Sequence, residues 1–348
     1  MSAGPVSSSN LFAPFLDRLA EAASGAIMPH FRQGFAIDNK WKAGFDPVTI
    51  ADKNGETAMR ALINETYPDH GILGEEHGPE NLDAEHVWVL DPIDGTRAFI
   101  TGLPTWGTLI GLRTNGVPSL GMMVQPYIGE RFGGDGKTAW YDGPLGARQL
   151  KTRPCEKLED ATIFTTTPAL FKNGERQAFD QIEAAVQLSR YGLRTNGVPS
   201  LGMMVQPYIG ERFGGDGKTA WYDGPLGARQ LKTRPCEKLE DATIFTTTPA
   251  LFKNGERQAF DQIEAAVQLS RYGTDCYAYC MVAAGHGDAV IESGLQAYDI
   301  VALVPIIEGA GGVVTTWTGG SPADGGQIVA SGDPRLHEIL LRDLAKAA

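Results

Sequence analysis

The chain is short of cysteine, of histidine and of long apolar runs. Its 348 residues hold four cysteines and six histidines, too few and too scattered for a disulfide framework or a His-rich metal site. No stretch approaches the ~18 consecutive apolar residues of a membrane span. The opening segment, MSAGPVSSSNLFAPFLDRLAEAA, lacks the basic region and apolar core of a secretory signal. Positive charge is also lacking: 30 Lys and Arg face 42 Asp and Glu, a net charge of −12. Without a Lys/Arg cluster, neither nucleic acid nor an anionic membrane is expected as a partner. The expectation from these absences is a cytoplasmic globular protein. An excess of carboxylates suits a divalent-cation enzyme, and solubility accounts for it equally well.

The most conspicuous thing present is a repeat. Residues 111–192 recur letter for letter as residues 192–273, an offset of 81. Solenoids use short units and at least three of them, and an old domain duplication would have diverged at its surface. The pattern reads as a recent tandem duplication, or an error of assembly, within one ordinary gene. One copy carries ten Lys/Arg and nine Asp/Glu, so removing it leaves 348 − 81 = 267 residues and a net charge of −13. That length suits one large domain or two intimately packed halves. The chain divides into an N-terminal half, 1–110, a first copy, 111–191, a second copy, 192–272, and a C-terminal half, 273–348. Cys236 is the copy of Cys155, so the effective cysteine count is three. Cys276 and Cys280 lie one helical turn apart with no second Cys/His pair to complete a zinc site, and read as buried core thiols.

Asn10 is placed to cap a helix whose apolar positions are Leu11, Phe15, Leu19, Ala22, Ala23 and Ile27. A second amphipathic helix is expected from Thr49 to Pro68. His86–Leu90 is a short apolar strand running into the polar segment Asp91–Thr96. Trp106–Leu112 and Val117–Gln125 form a hairpin about Asn115-Gly116, so only the first copy has its hairpin partner upstream. The second copy leads directly into a helix over Gly273–Cys280. A strand over Asp288–Glu292, a helix from Asp299 stopped by Gly309, Gly311 and Gly312, a strand over Val313–Trp317 and a helix opened by Pro334 complete the chain. Mixed helices and strands give an α/β (α+β) class with layered sheets.

Gly136-Lys137-Thr138 looks like the end of a phosphate-binding loop, but Arg131 stands where the upstream glycine is required. It reads as a β-turn. No histidine pairs with a Ser or Cys as a nucleophile setting would need. The carboxylates say more. Asp91 and Asp94 leave the end of a buried strand, Glu75 and Glu76 follow Gly74, and Asp299 starts a helix. Carboxylates aimed at one point repel one another unless a cation neutralises them, and hard oxygen donors with few histidines select Mg²⁺, or Mn²⁺ as a substitute. Spacing alone leaves a blander reading open: strand-end turns and a helix cap.

Gly74-Glu75-Glu76, the run Trp88 to Thr96 with its Asp-Pro-Ile-Asp-Gly-Thr, and Tyr298-Asp299 followed by Gly309–Gly312 resemble the signatures of the inositol monophosphatase family. Order and spacing fit along the whole chain once one copy is removed. Within the family the chain is similar to the histidinol-phosphate phosphatase branch, on the run Thr96 to Gly107, on Arg271 to Tyr279 and on Tyr298-Asp299. Inositol-type members usually carry Trp before that Asp and small residues after Gly-Thr; here the positions are Tyr298, Asp275 and Cys276.

The resemblance implies a layered αβαβα fold, a small phosphorylated substrate and room for a homodimer. It implies one metal held by Glu75, Asp91 and the Ile93 carbonyl, and a second by Asp91, Asp94 and Asp299. Thr96, oriented by Asp52, would position the attacking water, and Glu76 would serve a later metal or the water network. Asp94, Gly95, Thr96 and Asp299 would contact the substrate phosphate region, and Glu292 matches a substrate-hydroxyl contact. Histidinol phosphate carries an ammonium and an imidazole, so charge complementarity singles out Asp275 and Glu292. Asp275 reads equally as a helix N-terminal residue stabilised by the dipole.

Overall fold

A computed structural model describes residues 11–33, 37–39, 47–152, 154 and 201–347. The chain forms two compact units, Met1–Arg153 and Pro154–Ala348. In the first, α1 (Ala13–Ile27) precedes β1 (Ile37–Asn39), β2 (Pro47–Thr49) and α2 (Ile50–Thr66). Next come β3 (Gly71–Gly74), β4 (Pro79–Glu80), β5 (His86–Asp94) and the short α3 (Thr96–Ile100). The meander β6 (Gly107–Thr114), β7 (Val117–Gln125), β8 (Glu130–Gly134), β9 (Ala139–Asp142) and β10 (Arg148–Gln149) follows. Apart from β1 and β2, these strands make one eight-stranded sheet in the order β10-β9-β8-β7-β6-β5-β3-β4.

Helices α1 and α2 pack together and against this sheet. Helix α1 buries Phe15, Leu16, Leu19, Ala20, Ala23 and Ile27, the stripe of an amphipathic helix. Gly55 in α2 lets the helices close: a Cβ there would lie 2.8 Å from Cδ1 of Ile27. The expected cap at Asn10 lies outside the described residues, Phe12 stands at the N-cap, and Leu11 is exposed rather than inward. Ala22 is only half-buried, its place on the stripe being taken by Ala20. The hairpin at Asn115-Gly116 forms as expected, both residues having positive φ, which a tight turn between twisted strands requires.

The second unit opens with β11 (Gly202–Gln206), β12 (Glu211–Gly215), β13 (Ala220–Asp223) and β14 (Arg229–Gln230), a separate four-stranded sheet. It continues with β15 (Thr243–Thr246), α4 (Gly255–Ala266), β16 (Leu269–Tyr272), α5 (Asp275–Ala283) and β17 (Ala289–Gln296). The last elements are α6 (Ala297–Ile300), α7 (Val304–Gly309), β18 (Val313–Thr316), β19 (Gly325–Ser331) and α8 (Pro334–Leu344). A five-stranded sheet runs β16-β15-β17-β19-β18. Helices α4 and α8 bury Phe260, Ile263, Leu336, Leu340 and Leu344 with Ile244, Ile291, Val329 and Trp317 in one core. Helices α5 and α7 contact both this sheet and the four-stranded one, so the unit is layered β, α, β, α. The class is α/β, as expected.

Four element boundaries differ from expectation, the first being β5, which runs through Asp91 to Asp94 where the strand was expected to end at Leu90. The helix read from Asp299 to Gly309 is two, α6 and α7, because Pro305 in the first turn of α7 has no N–H to continue a ladder. The helix expected from Gly273 starts at Asp275, since Gly273 (φ 71) and Asp275 (φ 45) are both left-handed. The strand expected to stop at Glu292 runs to Gln296 past a bulge between Glu292 and Leu295.

The copies are used in pieces. The first supplies β7–β10 to the N-terminal unit. Thr233 donates its N–H to the Ala310 carbonyl (3.0 Å) and Arg234 pairs with buried Asp288 (Nε to Oδ1, 2.7 Å). Asp288 also accepts from the Thr243 N–H at 2.7 Å. The second copy's C-terminal part is thus tied into the unit that ends the chain. Cys236 and Cys280 are buried thiols, Cys276 is half-buried, and Cys155 lies outside the described residues. Among the described residues no helix is long and apolar enough to cross a membrane.

His337 on α8 is buried, its ring nitrogens bonded to Thr315 Oγ1 (2.9 Å) and Ser331 Oγ (3.1 Å). Burial pushes its pKa from 6.5 down to about 4. The unfolded imidazole takes up a proton below its ordinary value while the folded one resists, so stability is full above 6.5 and falls as pH drops towards 4. A loss of roughly 2–3 kcal/mol is expected for this unit between those values. Urea midpoints at pH 7 and pH 4.5 should show it, and His337→Gln should flatten the slope.

Candidate active site

In the N-terminal unit the candidate residues are placed where β5 loses register. Asp91 pairs with Leu109 and Asp94 with Gly107, so β5 carries one extra residue and the bulge re-aims the side chains at its end. Gly95 takes φ 88, and a Cβ there would lie 3.3 Å from the Thr105 carbonyl oxygen and from Trp106 Cα; this turn delivers Thr96 as the first residue of α3. The Thr96 hydroxyl lies 3.1 Å from the Ile93 carbonyl and 3.4 Å from Asp52 Oδ1. Asp52 is held by the start of α2: its Oδ2 accepts from the Thr49 N–H (2.8 Å) and hydroxyl (2.5 Å), a capping box. Burial, opposed by those Thr49 bonds and helped by the charge of Glu76, raises its pKa to about 6. The expected Asp52–Thr96 pair is therefore formed.

Glu75 and Glu76 follow β3, which runs parallel to β5 with Gly74 beside Leu90. Their loop is folded around a buried carboxylate that the sequence reading passed over, Glu56 on α2. Glu56 accepts from the N–H groups of Glu76 (2.6 Å) and His77 (3.2 Å) and from Arg60 Nε (2.7 Å). A Cβ on Gly74 would lie 1.9 Å from Glu56 Oε1, so the glycine before the two glutamates is a matter of space. The available signal was the i,i+4 pair Glu56–Arg60 on a helix whose Met59 and Ile63 face inward.

Asp91 is the electrostatic extreme of this group. Its Oδ1 is buried with no hydrogen-bond partner. Burial, then the charge and shared hydrogen bond of Glu75, then the charge of Asp94, push its pKa up to about 8. The structure thus gathers Glu75, Asp91 and Asp94, with Asp52, Thr96 and Glu76 alongside. Among the described residues no three His, Cys, Asp or Glu side chains converge closely enough to hold a metal as they stand. The donor chemistry nevertheless fits a hard cation, because an unsatisfied buried carboxylate oxygen among like charges lacks only positive charge.

In the C-terminal unit the candidate residues centre on Glu292, buried at the bulge of β17. Thr247, just past β15, holds it: the Thr247 N–H (2.7 Å) and hydroxyl (2.9 Å) both reach Glu292 Oε1, and the hydroxyl also lies 3.2 Å from Asp275 Oδ1. Burial raises the Glu292 pKa to about 7, against the Thr247 bonds and with a contribution from Asp275. Asp275 sits at φ 45, strained backbone for a residue with a side chain. Asp299 is the third residue of α6, its Oδ2 accepting from the Gln296 N–H at 2.7 Å. Tyr279 is buried with its hydroxyl unpartnered, and the charges of Glu292 and Asp299 add to burial in raising its pKa, which puts the three in one neighbourhood. Thr247 was missed in the sequence because it lies inside the repeat. The Tyr298 side chain lies outside the described set.

A model of the inositol monophosphatase family matches residues 12–195 and, separately, residues 190–348. Each match contains one copy of the repeat. The chain is 34% identical over 344 residues to a bifunctional phosphatase, IMPL2, of the Arabidopsis thaliana chloroplast, covering 96% of this chain and 75% of that one. It is 26% identical over 304 residues to a histidinol-phosphatase of Mycobacterium tuberculosis, covering 86% of each. Among solved structures, an inositol monophosphatase from Zymomonas mobilis is 30% identical, with 97% of this chain and 99% of that one covered and a TM-score of 0.37. With the family model spanning nearly all of its length in two overlapping matches, the chain belongs to the inositol monophosphatase family.

Proposed function

We propose that this phosphatase hydrolyses L-histidinol phosphate to L-histidinol and phosphate, using Mg²⁺, with Mn²⁺ as a substitute. The observation that carries the metal requirement is Asp91: a buried carboxylate with an unsatisfied oxygen beside Glu75 and Asp94. Glu75, Asp91 and the Ile93 carbonyl would hold one ion, and Asp91, Asp94 and Asp299 a second. Glu76 would serve a further ion or the water network. When bound, such ions neutralise a dianionic ester, lower the pKa of a water and stabilise a departing alkoxide.

The chain's own residues supply orientation. The Thr96 hydroxyl donates towards Asp52 Oδ1 or the Ile93 carbonyl, which leaves its lone pairs to accept from the attacking water. Asp52 keeps that hydroxyl turned, because its other oxygen is fixed by Thr49. Gly95 and Thr96 at the start of α3, with Asp94 and Asp299, would bound the phosphate. Orientation of this kind is commonly a large part of barrier reduction, and no covalent phosphoenzyme is needed.

Glu292 and Asp275, joined through Thr247, support a cationic leaving group. Two carboxylates linked by one threonine form an anionic patch suited to an ammonium or imidazolium, whereas an inositol offers only hydroxyls. Similarity to a histidinol-phosphatase supports the same substrate.

Phosphate release from histidinol phosphate should be abolished by EDTA, restored by Mg²⁺, and lowered by about two to three orders of magnitude in Asp94→Asn. Release that persists in EDTA would sink the metal-dependent reading. The ratio of kcat/KM for histidinol phosphate over inositol 1-phosphate should exceed one and fall roughly tenfold or more in Glu292→Gln; a native preference for inositol phosphate would instead favour a broad sugar-phosphate monoesterase. A chain lacking residues 193–273 keeps one full copy of the repeat, in which Thr166 is the counterpart of Thr247, and every proposed metal, catalytic and substrate residue outside the repeat. It should be at least as soluble and as active as the 348-residue chain, and an inactive deletion beside an active full chain would show that the repeat is not surplus.

A further inference from the structure

The two meanders have one sequence and one fold but differ in cover: Tyr141 and its copy Tyr222 are buried alike on one face, while the other face is buried in the first copy and open in the second. In the first copy, Gly121 to Gln125 pair with Gly134 to Glu130; in the second, Gly202 to Gln206 pair with Gly215 to Glu211 in the same register. One face carries Met122, Val124, Arg131 and Trp140, or their copies Met203, Val205, Arg212 and Trp221. The other carries Met123, Phe132 and Ala139, or Met204, Phe213 and Ala220.

In the N-terminal unit the first of these faces is covered. Met122, Val124 and Trp140 are 6%, 3% and 9% exposed, with α1 packed across β6 and β7. Arg131 reaches up to α1, its Nη1 2.7 Å from Asp17 and its Nη2 3.6 Å from Glu21. Those carboxylates are one helical turn apart, beside the apolar stripe of α1. In the C-terminal unit it is the second face that is covered. A Cβ on Gly215 would lie 2.3 Å from the Pro305 carbonyl, and Phe213 meets the edge of Tyr277 at 5.8 Å. The first face is left open there: Met203, Val205 and Trp221 are 51%, 46% and 38% exposed. Among the described residues, Arg212 is paired with Asp223 at 3.9 Å.

We propose that this outer face of β11–β13 is a docking surface for an amphipathic helix that carries two acidic side chains one turn apart beside its apolar stripe. The same strands, in the same register, already take part in holding such a helix within the same chain, where α1 lies across β7 and the preceding β6. Exposed Met and Trp side chains in one patch make an apolar bed. Arg212 supplies the fork that a carboxylate pair satisfies, as Arg131 does for Asp17 and Glu21. Sites of this kind read a helix by anchors at i, i+3 and i+4.

The probe is a synthetic peptide of residues 11–33, titrated into the full-length protein by calorimetry. Because the free peptide must fold as it binds, a Kd on the order of 10–100 μM is expected. Met203→Glu and Arg212→Glu, both at exposed positions, should weaken binding at least tenfold while the circular dichroism spectrum is unchanged. A peptide carrying Asp17→Lys and Glu21→Lys should fail on the native protein and bind the Arg212→Glu variant. No binding up to about 1 mM, or binding indifferent to Met203→Glu and Arg212→Glu, would overturn the proposal. So would a concentration-dependent dimer that Met203→Glu abolishes and the peptide does not compete, since that would assign the face to a second copy of the chain.

Discussion

A sheet with two apolar faces needs two covers, and among the described residues the two identical meanders have one cover of each kind between them. Helix α1 lies on one face of the first meander; α5 and α7 lie on the other face of the second. The sequence of both meanders is the same, so the difference between 6% exposure at Met122 and 51% at Met203 is decided by the neighbours alone. Each copy also keeps the connection that its place in the chain dictates. The first is held by its hairpin with β6, and the second is held by Thr233 and Arg234 against the last third of the chain.

A second regularity concerns carboxylates. Burying an anion is costly unless it is hydrogen-bonded or paired, and in each unit nearly every buried carboxylate near the candidate residues meets that condition. Glu56 has two N–H groups and Arg60, Asp52 has Thr49, Glu292 has Thr247, and Asp288 has Arg234. Each of these bonds also fixes a loop: the Glu75-Glu76 turn, the start of α2, the end of β15, the entry to the last strands. Asp91 departs from the pattern, with one oxygen left unsatisfied and like charges beside it. The scaffold spends its polar contacts on orienting the surrounding groups and leaves one site in need of positive charge.

Much of this was legible in the sequence. The runs around Gly74–Glu76, Asp91–Thr96 and Asp299 pointed to the family, and the α/β class followed from alternating helix and strand periods. The Asn115-Gly116 hairpin and the Pro334 helix start were readable because they rest on local backbone chemistry. Glu56 and Thr247 matter through contacts 20 and 45 residues away in sequence; the i,i+4 spacing of Glu56 and Arg60 announced a pair but not the loop it holds, and nothing local announced the partner of Thr247. The break between α6 and α7 could have been read from Pro305, while the reach of β17 past Glu292 depended on pairing with β19.

The sequence by itself determined the family, the identity of the acidic residues and the presence of a perfect repeat, since composition, motif order and identity are properties of a string. Tertiary structure alone decided which face of each copy is buried and why Gly74 must lack a side chain. It also decided that Asp52 holds Thr96 and that Thr247 joins Glu292 to Asp275. Those outcomes are settled by space and by desolvation, and both exist only when segments distant in the chain are brought into contact.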